Sequence, residues 1–175
     1  VVHALYNDPD VQGALVRRFG DDITKEGQVD RQALARLVFD DVAALDWLEQ
    51  LTHPRVRQIV EDWAARQSDQ PEPPAMLVVE VPLLFESGAG LETYDFILTV
   101  TAPQDLRRRR LSAKLTADQF DQRARRQLSD AEKAERSDFV FENDGSRQRM
   151  KAFVAETYAA ILAAAAADAE GAPVR

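Results

Sequence analysis

The sequence predicts an α/β fold, a parallel sheet layered with helices, and three observations predict it. Met76–Val81 and Phe96–Thr101 are short continuous apolar runs rich in Val and Ile, the pattern of strands buried on both faces. Phe139–Phe141 is a third such run, placed just before the turn "ENDGS". Between the second and third lie helix-start signatures, so strands alternate with helices and right-handed crossovers are expected.

Upstream of the first run, residues 1–68 read as helical. Leu34, Leu37 and Val38 share one helical face, and Val56, Ile59, Val60 and Trp63 repeat at i, i+3, i+4 and i+7. Asn7 to Pro9, the Gly20–Asp22 turn, Gly27 and Asp40–Asp41 divide this region into short helices. His53–Pro54 is expected at a helix start, with Thr52 as its cap. "SDQPEPPA" (residues 68–75) is a polar loop whose three prolines end the last helix. Past the second strand, Thr101 is expected to cap a helix, with Gln104 completing a capping box and Pro103 in the first turn. Thr116 with Gln119, and Ser129 with Glu132, repeat that signature. Met150, Phe153, Val154, Tyr158, Ile161 and Leu162 mark one face of a long C-terminal helix. Three strands are few for a layered sheet, which usually has about five, so further sheet sequence is expected upstream of Val1.

Composition narrows the function classes. The chain has 175 residues, 45% apolar and 30% charged, with no cysteine and two histidines. Disulfides and thiolate metal centres are therefore excluded, and a zinc site is disfavoured. A formal net charge of −8 repels a phosphate polymer, so no nucleic-acid partner is expected. No apolar run approaches the ~20 residues of a membrane span, so no membrane partner is expected and the cytoplasm is the expected compartment.

Ligands of open parallel sheets bind at the carboxyl ends of the strands. Glu80, Thr101 and the Asn143–Gly145 turn are expected there. Glu80 is open to two readings, a water-mediated Mg²⁺ or acceptor contact and a plain strand cap. Leu83, Leu84 and Phe85 are either a plug in the core or a greasy ligand surface beside Glu86. The run Arg107–Arg110 covers a whole helical turn, so it is either a solvated, acid-paired face or in part a phosphate clamp. With Arg123, Arg125 and Arg126 it would suit a lid over a polyphosphate.

In order along the chain, "ALVRRFGDDI", "GQVDRQALARLVF", "LTHPRVR", "LVVEVPLLFESG", "TAPQDLRRRRL" and "RRQLSDAEKAERSDFVFENDGS" resemble the dephospho-coenzyme A kinase family of P-loop kinases. The resemblance implies a P-loop kinase-like parallel sheet flanked by helices, with a helical substrate-binding insert and a lid. It implies a coenzyme A-binding region over 1–68, a kinase core over 76–175, and a lid over about 107–137. The implied reaction is ATP-dependent phosphorylation of the ribose 3′-hydroxyl of dephospho-CoA, with Mg²⁺, in a monomer or weak oligomer. By the same resemblance Arg108 and Glu80 are catalytic. His53, Leu83, Leu84, Phe85 and Glu86 bind the acceptor. Asn143, Gly145 and Arg110 bind the nucleotide, and Glu80 reaches the metal through water.

The chain departs from the family pattern in three places. Glu80 stands where the family usually has aspartate, and Ser112 and Ala113 stand where it has an arginine–aspartate pair. No G-x-x-x-x-G-K-[ST] occurs in the 175 residues. That loop supplies the backbone cradle and lysine for the β- and γ-phosphates. It is expected upstream of Val1, and the chain without it is expected to be inactive. The alternatives are another small nucleotide or nucleoside kinase of this fold and a non-catalytic coenzyme A or nucleotide binder.

Overall fold

In the computed structural model, residues 2–39, 41–87 and 90–169 are described, and the chain divides into two units, 1–79 and 80–175.

The first unit is built on helix packing. Helix α1 (Val2–Leu5) leads into α2 (Pro9–Phe19), where Pro9 takes the first turn and the Asp8 carboxylate accepts the N–H groups of Asp10 and Val11. Helices α3 (Arg31–Phe39) and α4 (Val42–Ser68) follow. Pairs spaced i and i+4 meet in one core: Val11 and Leu15, Leu34 and Val38, Ala44 and Leu48, closed by Ile23. Leu37, one residue off that stripe, is exposed. Phe19 and Trp47 pack edge to face with centroids 5.5 Å apart.

Two expectations for this region are corrected. Residues 24–29 are not helical but a hairpin of β1 (Thr24–Lys25) and β2 (Gln28–Val29). Glu26 and Gly27 both have positive φ, 54° and 76°, the backbone of a tight hairpin turn whose twist matches its strands. The Gln12 side-chain amide donates to the Gly27 carbonyl at 2.7 Å and holds the turn on α2. His53–Pro54 starts no helix either, because α4 runs through Pro54 for 27 residues. Proline removes one N–H and strains the turn before it. Here the Thr52 hydroxyl donates to Leu48 O and the Arg55 guanidinium to Leu51 O, each at 2.8 Å. These bonds fall on carbonyls either side of Gln50 O, the one that loses its i+4 donor, and beyond the proline Val56, Val60 and Trp63 are partly covered while Ile59 is exposed.

The second unit holds a parallel pair, β3 (Leu98–Thr101) and β4 (Phe139–Glu142), in register Leu98 with Phe139 through Thr101 with Glu142. Four helices surround its connection and exit: α5 (Leu84–Ser87) before β3, then α6 (Gln104–Leu111), α7 (Ala117–Arg125) and α8 (Asp130–Glu135) before β4. Helix α9 (Arg147–Ala169) follows β4 and stacks Phe153 on Phe141 at 4.9 Å. Two of the three expected capping boxes are present, at Thr116 and Ser129.

Three expectations fail in this unit. Met76–Val81, which spans the unit boundary, is not a strand. Apolar β-formers become a strand only with a hydrogen-bonded partner, and no ladder to this run occurs among the described residues. Thr101 caps nothing. Its carbonyl accepts Asn143 N–H at 2.8 Å as the ladder continues, and Pro103 occupies the N-cap without a side-chain bond. On α9, the Met150, Val154 and Tyr158 side chains are exposed, while Phe153 is partly covered and Thr157 is buried. The sheet is met by the row through 153 and 157 rather than by the full apolar arc. Arg147–Asp168 is also long and apolar enough to cross a membrane by length and composition, because consecutive alanines extend the Phe153–Leu162 stretch.

Candidate functional site

The carboxyl ends of β3 and β4 lie side by side, since parallel strands end together. From β4 the chain enters a turn stitched by its own polar groups. Asn143 Oδ1 accepts Gly145 N–H at 3.1 Å, and Asp144 Oδ1 accepts Ser146 N–H at 2.9 Å. The Ser146 N–H bond, the largest of the causes, and the nearby Arg149 cation hold the Asp144 carboxyl below the usual carboxylate range. Gly145 has φ 104°, and a β-carbon there would sit 3.3 Å from Arg110 Nη2. Arg110 also donates to Asn143 O at 3.4 Å. Arg110, Asn143 and Gly145, expected together as nucleotide contacts, do meet, with an exposed guanidinium over the turn.

Arg107 and Arg108 of α6 are braced by acids. Arg107 pairs with Asp130 at 2.8 Å. Arg108 reaches both carboxylate oxygens of Asp121, at 2.6 and 3.5 Å, and its guanidinium lies 5.0 Å from the Phe120 ring centroid. These partners lie on α7 and at the start of α8, so Arg107 and Arg108 tie those two helices to α6. Asp121, Phe120 and Asp130 escape sequence reasoning, because only the folded chain brings them near the run. The Phe120–Asp121 dipeptide one turn beyond the Thr116 cap is the available signal.

The loop before β3 is more buried than its composition suggests. Phe85 is 7% exposed, whereas Leu83 is 42% exposed. Glu86 Oε1 lies 2.8 Å from Lys133 Nζ and accepts Leu128 N–H at 2.9 Å. Burial raises the pKa of Glu86, but the Lys133 hydrogen bond and the N–H groups of Glu86 itself and Leu128 lower it further, and the net value falls below the ordinary one. Lys133 and Arg136 also escape sequence reasoning at this loop. Their spacing on the helix that Ser129 caps is the only local hint.

Glu80 ends no strand and its side chain is exposed. No group of three or more His, Asp or Glu side chains arranged for a metal occurs among the described residues. His53 is half-buried on α4, in the first unit, whereas Leu83 to Glu86 belong to the second.

A family model for dephospho-CoA kinase matches residues 3–149. A dephospho-CoA kinase from Protochlamydia amoebophila is 33% identical over 160 residues, covering 90% of this chain and 78% of the relative. One from Frankia casuarinae is 36% identical over 152 residues, 86% of this chain and 64% of its own length. A crystal structure of a Thermus thermophilus protein superimposes with a TM-score of 0.69 at 34% identity, covering 89% of this chain and 80% of that one.

Proposed function

The chain belongs to the dephospho-CoA kinase family, and we propose that the full-length protein transfers the γ-phosphoryl group of ATP to the ribose 3′-hydroxyl of dephospho-CoA. The observation that carries this reading is the extent of the family match. Residues 3–149 include the helical region, the acceptor loop, the lid and the Asn143–Gly145 turn together.

Phosphoryl transfer asks the protein for position and charge more than for covalent chemistry. Arg110 with the Asn143–Gly145 turn takes the adenine side of ATP, where a planar guanidinium can stack on a base. Arg108 neutralises the transferring phosphoryl group. Its bidentate hold on Asp121 sets the fork beforehand, and phosphate oxygens compete for the same donors. The acceptor lies against Leu83 and Leu84, with Phe85 and Glu86 shaping the loop from beneath. Kinase sites hold Mg²⁺ through one or two carboxylates plus phosphates and water rather than an all-protein cage. The exposed, isolated Glu80 fits that pattern as a contact through water. When bound, the ion supplies charge neutralisation on the phosphates. We read the protein as cytoplasmic, a monomer or weak oligomer, with no nucleic-acid or membrane partner.

Incubation with ATP and Mg²⁺ tests the assignment when dephospho-CoA is compared with nucleoside monophosphates. ADP and CoA should form in equal amounts with dephospho-CoA and far more slowly with the others. Preferential transfer to a nucleoside monophosphate would sink the reading.

A further inference from the structure

Helix α8 has six residues, yet it directs two cations at the short turn α5. Lys133 Nζ meets Glu86 Oε1 at 2.8 Å, with the two side chains 15% and 13% exposed. The other ion pairs described in this unit, Arg107–Asp130, Arg108–Asp121 and Arg149–Asp144, have at least 36% of each side chain exposed. Just beyond the end of α8, Arg136 Cζ lies 4.7 Å from the Phe85 ring centroid. The Glu86 oxygen held by Lys133 also accepts Leu128 N–H, in the segment joining α7 to α8. The second oxygen, Oε2, is buried without a hydrogen-bond partner. Lys133 is therefore the one cation paired with this carboxylate among the described residues, and removing the ammonium leaves a buried charge held by backbone N–H groups alone.

A surface ion pair would do little here, since it is screened and costs side-chain entropy to form. A covered pair joining α8 to the loop before β3 is different, because breaking it leaves a buried charge without its counter-ion. Leu83, the exposed apolar residue of that loop, sits just before α5, and Ser87 N–H bonds back to Leu83 O at 3.0 Å. The shape of the turn thus sets where Leu83 stands.

We propose that Lys133 is a positioning residue, a strut that grips Glu86 and so couples the Leu83–Ser87 loop to the lid. The inference rests on the reading of that loop as the acceptor surface. It makes acceptor binding, rather than nucleotide binding, dependent on a lid lysine that touches neither substrate.

The test uses full-length Lys133→Met and Lys133→Arg proteins, with hydrogen exchange at single amides and calorimetric titration of dephospho-CoA and ATP. In Lys133→Met the Leu128 amide should exchange at least about tenfold faster, because its acceptor is no longer fixed. The Kd for dephospho-CoA should rise about tenfold while that for ATP changes less than about twofold. Lys133→Arg, which keeps a charged donor, should recover most of both effects. Unchanged Leu128 exchange, or equal loss of both ligands, overturns the proposal. Should Lys133→Met not fold, the near-isosteric Glu86→Gln takes its place in both measurements, and the same two outcomes there overturn the proposal. A wild-type protein that binds no dephospho-CoA overturns the functional reading and the acceptor half of this inference, while the exchange measurement still decides the strut.

Discussion

At Gly145 one hydrogen atom separates a working turn from a strained one. The residue has φ 104°, and Arg110 Nη2 would lie 3.3 Å from a β-carbon. Gly145→Ala therefore forces an L side chain into the left-handed region, which costs on the order of 1–2 kcal/mol, and also displaces Arg110. A lower urea midpoint together with a raised KM for ATP is the expected pair of results. A change in stability alone would mean that the turn does not serve the nucleotide. Leu83 and Phe85 separate in the same way. Phe85 lies buried beneath Arg136, so Phe85→Ala should cost roughly 3–5 kcal/mol of folding stability, whereas Leu83→Ala should leave the melting temperature near wild type and weaken dephospho-CoA binding. Arg108 is the third case. Turnover in Arg108→Ala should fall by about a hundredfold, roughly 2.7 kcal/mol of barrier, with the fold intact. Asp121→Asn, which loosens the brace but keeps the guanidinium, should fall much less. Equal losses in the two would make Arg108 a lid brace and nothing more.

Element by element, the sequence is most transparent where the controlling chemistry is local. Thr116 with Gln119 and Ser129 with Glu132 form reciprocal capping boxes three residues apart, and such bonds depend on the chain's own neighbours. Replacing Thr116 or Ser129 by Ala should cost about 1 kcal/mol each in chemical denaturation. Ser129→Ala should also raise the midpoint pH at which Glu132 titrates, since the Ser129 hydroxyl and then its N–H are what depress that carboxyl. Thr101 shows the limit of local reading. It has the right neighbours for a cap, but its backbone is committed to β4, a partner from a distant part of the chain. Pro54 shows the opposite limit, because α4 continues through the proline where a helix start was expected.

Among the described residues, the carboxylates with resolved shifts all move in one direction. Asp30, Glu86, Glu132 and Asp144 are all lowered. For Asp30 the causes are first the Ala33 and then the Gln32 N–H group. A carboxyl with a depressed folded pKa contributes stability above its unfolded value, near about 4, and loses it as pH falls through the folded value. Stability should therefore be level from neutral pH down to about 5 and decline below about 4. Measuring the midpoint of urea unfolding against pH checks this, and Glu86→Gln should flatten part of the acid limb. A decline beginning above pH 6 would point to other groups.

Residue identity along the chain was enough to establish the two strands of the parallel pair, the caps at Thr116 and Ser129, the Asn143 turn and the membership of the arginine and Leu–Phe clusters. Each depends on periodicity or on bonds within a few residues. The partner of each charge was settled only by folding: Arg107 with Asp130, Arg108 with Asp121, Lys133 with Glu86. So was the status of Met76–Val81, which has strand composition but no ladder among the described residues. A cap closes a loop of three residues at small entropic cost, whereas a ladder or an ion pair between distant segments exists only after the core has brought them together.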